Sequence, residues 1–202
     1  ADPLARTRNG YTPLTLAIIE GHKDLVAAAV AQDCAALLCE DCMGRIPLHW
    51  AAHLGRHELF ELLLQGSKKT GLNKRDENGE TPLCAAAHGG HVETMRRLLL
   101  LGADSTVRNV TGRTLLHFAS ASGNSDAVAI ALAVCADAVN ERCKDGRTAL
   151  HVATEHGTSY AVGMLLNAGA EPNALDRMRR TPLMSAALRG DVVAIVSLLK
   201  YG

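Results

Sequence analysis

One short string returns six times along the 202 residues: Thr12-Pro13-Leu14, Ile46-Pro47-Leu48-His49, Thr81-Pro82-Leu83, Thr114-Leu115-Leu116-His117, Thr148-Ala149-Leu150-His151 and Thr181-Pro182-Leu183. The starts lie 34, 35, 33, 34 and 33 residues apart. A chain with such a period folds as a row of similar units, because each unit alone is too small to bury its apolar face and must stack on its neighbours. With the first residue of each string as zero, position +2 is always Leu (Leu14, Leu48, Leu83, Leu116, Leu150, Leu183). Position +5 is always Ala (Ala17, Ala51, Ala86, Ala119, Ala153, Ala186), and position +9 is always Gly (Gly21, Gly55, Gly90, Gly123, Gly157, Gly190).

These residue types describe a helix and its ends. A Thr hydroxyl at zero accepts a backbone N–H of the first turn, and Pro at the next position fits where the amide lacks a partner. Leu at +2 and Ala at +5 share one helical face, and the small Ala lets a neighbouring helix come close. Gly at +9 suits a helix end that turns through the left-handed region. A second apolar stretch follows, through Leu25-Val26, Leu59-Phe60, Met95, Val128, Val162 and Ile195, closing on pairs such as Leu63-Leu64 and Leu165-Leu166. A polar turn then carries Gly at −2 in five units (Gly10, Gly44, Gly79, Gly112, Gly146) and Arg179 in the sixth.

The unit is thus helix, tight turn, helix and protruding loop. Its period and its T-P-L-H-x-A string resemble those of the ankyrin-repeat family. The resemblance covers nearly the whole chain and implies an all-α ankyrin-repeat solenoid of helix-turn-helix units joined by β-hairpin loops. It implies one array over 1–202, with repeats at about 7–40, 41–75, 76–108, 109–142, 143–175 and a truncated 176–202. Extra residues before repeats 2, 3 and 5 are expected between helix and loop, where insertions are tolerated. A left-handed Arg179 would cost roughly 1 kcal/mol, so the last loop is expected to be distorted. Ala1-Asp2-Pro3 reads as the tail of a preceding hinge, and repeat 6 ends in Val192-Val193-Ala194-Ile195-Val196 without a polar cap. The expectation is an array cut from a longer protein, or one that associates with a partner or with itself through uncapped ends.

Composition narrows the work such an array can do. Lys plus Arg and Asp plus Glu are both 21, so nucleic-acid binding through bulk positive charge is excluded, and 3% aromatic residues leave little for base stacking. No apolar run approaches the ~18 residues of a membrane span, and no signal peptide opens the chain. The six cysteines are too unevenly placed for a disulfide framework. They are expected to be reduced, in an intracellular protein of the cytoplasm or the nucleus.

No reactive constellation emerges from the sequence. Gly66-Ser67-Lys68-Lys69-Thr70-Gly71 has its glycines and lysines in the wrong order for a phosphate loop. His49, His53 and His57 fall four apart but lack the intervening Glu of a zinc-protease helix, and Gly55 ends the helix before His57. Cys39-Glu40-Asp41-Cys42, with Cys34 nearby, has no second pair to complete a zinc site. The expectation is a chain with no enzymatic activity, no cofactor and no metal, in which a redox or metal role of Cys34, Cys39 and Cys42 stays open. In the resemblance, His49, His117 and His151 are structural residues that tie backbone between neighbouring units.

The resemblance also implies a partner site on the concave surface of loop tips and first helices, at positions −6, −4, −3, −1, +7 and +8. Those 36 positions carry twelve basic residues against six acidic ones. The excess lies wholly in repeats 4–6, through Arg108, Arg113, Arg142, Lys144, Arg147, Arg177, Arg180 and Arg189. Arginine favours bidentate capture of carboxylate or phosphate, so the expected ligand is an acidic or phosphorylated segment of another protein. Tyr11, Met43, Leu54, Met178 and Leu188 are the expected apolar anchors. Four alternatives stand beside this: the same arginines pairing with Asp or Glu of adjacent loops, a concave protein-binding site of other character, a partner held on another face, and an array serving as the regulatory or targeting segment of a larger enzyme, channel or receptor.

Overall fold

A computed structural model of the chain describes residues 2–32 and 35–202. Every repeat string starts a helix, and every unit adds a second one. The helices are α1 (Pro13–Glu20), α2 (Lys23–Ala31), α3 (Pro47–His53), α4 (His57–Gly66), α5 (Pro82–Gly89), α6 (Val92–Leu100), α7 (Leu115–Ala121), α8 (Ser125–Val134), α9 (Ala149–His156), α10 (Ser159–Asn167), α11 (Pro182–Arg189) and α12 (Val192–Tyr201). They fall into two compact units, Ala1–Asp104 and Ser105–Gly202. In the first, α1, α3 and α5 pack in succession, with α2, α4 and α6 as a second layer. In the second, α7, α9 and α11 form the first layer and α8, α10 and α12 the other.

The residues shared by all six strings make this packing possible. Ala at +5 is buried in every unit, and Leu at +2 is buried in five, Leu183 being half-buried. Each buried Leu removes apolar surface worth about 2 kcal/mol. All six glycines at +9 have φ between 63° and 84°, the left-handed region expected of them.

The loops are tight turns, and no strand forms among the described residues. Each is closed by the same two backbone bonds. In the fifth loop the Cys143 N–H donates to Arg147 O at 3.0 Å and the Gly146 N–H to Cys143 O at 2.8 Å. The sixth loop keeps this geometry, with Arg179 N–H to Asp176 O at 2.9 Å and Asp176 N–H to Arg180 O at 3.0 Å. Arg179 sits at φ 59°, so the expected distortion does not occur and the strain stays in the residue. Glycine meets a second demand in three of the other loops: a Cβ on Gly10 would lie 2.6 Å from Cys42 N, one on Gly44 3.1 Å from Glu77 N, and one on Gly146 3.0 Å from Arg177 N. No neighbouring loop makes that demand at Arg179 among the described residues. The extra residues form a 3₁₀ turn at Ala35–Leu38, another at Ala136–Ala138, and a turn through Lys68, Lys69 and Gly71 at positive φ.

Three histidines join consecutive repeats as the resemblance implied. The backbone N–H groups of Ile46, Thr114 and Thr148 donate to Nδ1 of His49, His117 and His151 at 3.2–3.3 Å. The opposite Nε2–H reaches the next loop, at Glu80 O (3.2 Å), Arg147 O (3.0 Å) and Arg180 O (3.0 Å). This geometry requires the neutral ring with its proton on Nε2. Burial lowers the pKa of all three, and that of His117 falls to about 4.

Two predictions follow from this geometry. Between pH 6.5 and 4 the unfolded chain takes up a proton on His117 that the folded chain refuses, so stability is full above 6.5 and falls with pH, by about 3 kcal/mol for this residue alone. Urea denaturation at pH 7.5 and pH 5 measures the fall, and it is shallower in His117→Ala, itself about 2 kcal/mol less stable for loss of two buried hydrogen bonds. In the last loop, Arg179→Gly relieves the left-handed strain and raises stability by about 1 kcal/mol, read as a higher urea midpoint at unchanged slope.

Candidate partner-binding surface

The loop tips are held to one another by backbone. In the first unit Cys42 N–H donates to Asn9 O at 3.2 Å and Glu77 N–H to Met43 O at 2.9 Å; in the second, Lys144 N–H donates to Thr111 O at 2.7 Å and Arg177 N–H to Asp145 O at 2.9 Å. Position −5 braces each turn from inside. Asp41, Asn109 and Asp176 accept the N–H of the residue four later at 2.8–2.9 Å through Oδ1, and Asp76 does the same for Glu80. This position escaped the sequence reading, although Asp or Asn at −5 in four of six units was a visible signal.

In the second unit most of the expected cations have intrachain partners. Arg147 Nη1 lies 2.7 Å from Glu155 Oε2, and its Nη2 is 3.4 Å from Asp145. Arg180 Nη2 lies 2.8 Å from Asp176 and 3.7 Å from the other oxygen of Glu155. Arg189 donates to the Glu155 carbonyl at 2.9 Å. Three candidate residues thus converge on Glu155, whose role as shared counter-ion the sequence did not disclose. Arg108 pairs with Glu141, and Arg142 donates to Leu175 O at 3.0 Å. Arg113, Lys144 and Arg177 remain. None has an ion pair or a side-chain hydrogen bond among the described residues, and they stand on three consecutive loops.

The expected apolar anchors divide between the units. Tyr11 is half-buried, its ring edge-on to Trp50 at 5.4 Å between centres. Met43 is exposed and Leu54 half-buried in the same unit, whereas Met178 and Leu188 are exposed in the second. His49 cannot serve as a metal ligand while both its ring nitrogens hold backbone groups. Cys39 is half-buried and Cys42 exposed, both as free thiols, and Cys34 lies outside the described residues. Among the described residues no group of three or more His, Cys, Asp or Glu is placed to hold a metal ion, and no helix is long and apolar enough to cross a membrane.

A family model described as ankyrin repeats (3 copies) matches residues 1–76, 67–137, 97–176 and 129–202, overlapping along the whole chain. The chain is 30% identical over 164 residues to the human transient receptor potential cation channel subfamily A member 1, covering 81% of this chain and 15% of the channel. It is 31% identical over 208 residues to the Drosophila melanogaster protein of that name, covering 96% and 17%. It is 35% identical over 114 residues to the E3 ubiquitin-protein ligase XBAT33 of Arabidopsis thaliana, covering 54% and 22%. The chain therefore spans less than a quarter of the length of each.

Proposed function

The chain belongs to the ankyrin-repeat family, and from that premise we propose that it is a non-catalytic protein-interaction module whose repeats 4–6 hold an acidic or phosphorylated segment of another protein. The observation that carries the reading is the trio Arg113, Lys144 and Arg177, one on each of three consecutive loops, without intrachain counter-ions among the described residues. An extended segment crossing the tips meets one of these cations per loop. Arg108, Arg142, Arg147, Arg180 and Arg189 act chiefly as braces that fix the loops, with Met178 and Leu188 beside them as apolar contacts. Rigid loops lose little conformational freedom on binding, so more of each contact appears as affinity.

A second reading is favoured by the relatives. Matches to a cation channel and a ubiquitin ligase, each spanned only in small part, suit an array that serves as the regulatory or targeting arm of a larger protein. Motifs outside this segment decide between the two.

The test uses acidic and phosphorylated peptide libraries on the purified chain. Reversing Arg113, Lys144 and Arg177 to Glu leaves the Glu155 braces in place, and it is expected to weaken the best binder at least tenfold and flatten its salt dependence. Unchanged, salt-independent affinity removes the anionic-segment reading. The face of α12 offers a separate test, since Val192, Val193, Val196 and Leu199 are 62–68% exposed. Sedimentation is expected to show concentration-dependent self-association that Val193→Lys with Val196→Lys suppresses.

A further inference from the structure

The sixth loop carries a cation where the other five carry glycine. Position −2 turns through the left-handed region at Gly10, Gly44, Gly79, Gly112 and Gly146, and Arg179 takes the same turn at φ 59°. A Cβ in that conformation crowds the carbonyl that follows it, which glycine avoids. Strained residues of this kind gather at functional sites. Nothing within the chain accounts for the arginine: Arg179 is exposed, and among the described residues its side chain makes no ion pair or hydrogen bond.

A second cation stands two residues away on the same turn. The Arg179 N–H donates to Asp176 O at 2.9 Å, closing a four-residue turn with Arg177 as its second residue and Arg179 as its fourth. Their Cα atoms are therefore at most about 7 Å apart. Both side chains are exposed, and Met178 between them is 73% exposed, so the tip faces outward.

The carboxylates around this tip are engaged with other arginines. Asp176 accepts the Arg180 Nε–H at 2.9 Å and lies 2.8 Å from its Nη2. Asp145, whose carbonyl receives the Arg177 N–H at 2.9 Å, has its carboxylate 3.4 Å from Arg147 Nη2. Glu155 is shared by Arg147 and Arg180. The sixth loop thus keeps two guanidinium charges that no carboxylate among the described residues neutralises.

Two guanidinium groups on one turn suit a doubly charged guest. A Glu or Asp side chain carries one negative charge and is matched by one planar fork. A phosphoryl group carries about −1.5 to −2 at pH 7 and offers three acceptor oxygens. We propose, resting on the anionic-segment reading, that Arg177 and Arg179 form the seat of a phosphorylated serine or threonine in the segment that crosses repeats 4–6. Arg113 and Lys144 then meet ordinary acidic residues of the same segment.

Arg179→Gly separates this role from a structural one, because it removes the cation and relieves the strain together. Fluorescence anisotropy on the full chain compares short peptides of alternating Glu and Gly with phosphoserine, glutamate or serine at the centre, at constant ionic strength. The phosphoserine peptide is expected to bind at least tenfold tighter than the glutamate one. Arg179→Gly is expected to cut that preference to twofold or less while the urea midpoint rises. Arg179→Lys, which keeps the charge and the strain but not the fork, is expected to fall between. A phosphoserine peptide no tighter than its glutamate counterpart, a preference that survives Arg179→Gly, or inorganic phosphate bound as tightly as the peptide overturns the proposal. The two readings fail separately. If the preference is absent but reversing Arg113, Lys144 and Arg177 still weakens the glutamate peptide, only the phosphate seat is lost. If no peptide binds, or the reversal changes nothing, the anionic-segment reading falls with it.

Discussion

Every loop depends on hydrogen bonds that cross from one repeat to the next. An imidazole Nε2–H donates to the closing carbonyl of the following loop in three repeats, and a loop-tip N–H donates to the preceding loop's carbonyl in four. These bonds are local in register although their partners lie about 30 residues apart. A loop that would otherwise move in solvent is held by its neighbours. Removing one partner leaves a buried polar group unsatisfied, which costs more than the bond itself contributes. That asymmetry makes the buried neutral histidines structural and the chain acid-sensitive.

Pinned loops separate scaffold from surface. The positions that hold the backbone, Gly at −2, Asp or Asn at −5 and His at +3, point inward or toward the next turn. The remaining positions are free to vary in charge, and in this chain they do so within each unit. The second unit gathers guanidinium groups around Glu155 and, among the described residues, leaves at least one cation without a counter-ion on each of three loops. In the first unit Glu80 stands at the position of Arg180, and His53 at that of Glu155.

The sequence disclosed the fold because the fold is periodic. Leu at +2, Ala at +5 and Gly at +9 recur without exception, and each answers to a burial or a φ value observed in the structure. The left-handed turn at Arg179 was legible too, but its outcome was misjudged. A strained residue was expected to deform its loop, whereas two backbone bonds and the braces from Asp176 outweigh about 1 kcal/mol of strain. The candidate surface was less legible, because a tally of charges by position does not show which charges meet. Glu141 and Asp176 lie outside the tallied positions yet neutralise Arg108 and Arg180. Glu155 lies inside them, but its contact with two arginines on successive loops requires the stacking geometry.

The central claim is that these loops are a fixed platform rather than mobile tips. Amide hydrogen exchange at Glu77, Lys144 and Arg177 tests it most directly, since each N–H points at the preceding loop's carbonyl at 2.7–2.9 Å. The account predicts exchange at least a hundredfold slower than in an unstructured peptide, comparable with the ends of α5 and α9. Exchange of these three amides at the unstructured rate, with the helices still protected, would contradict it.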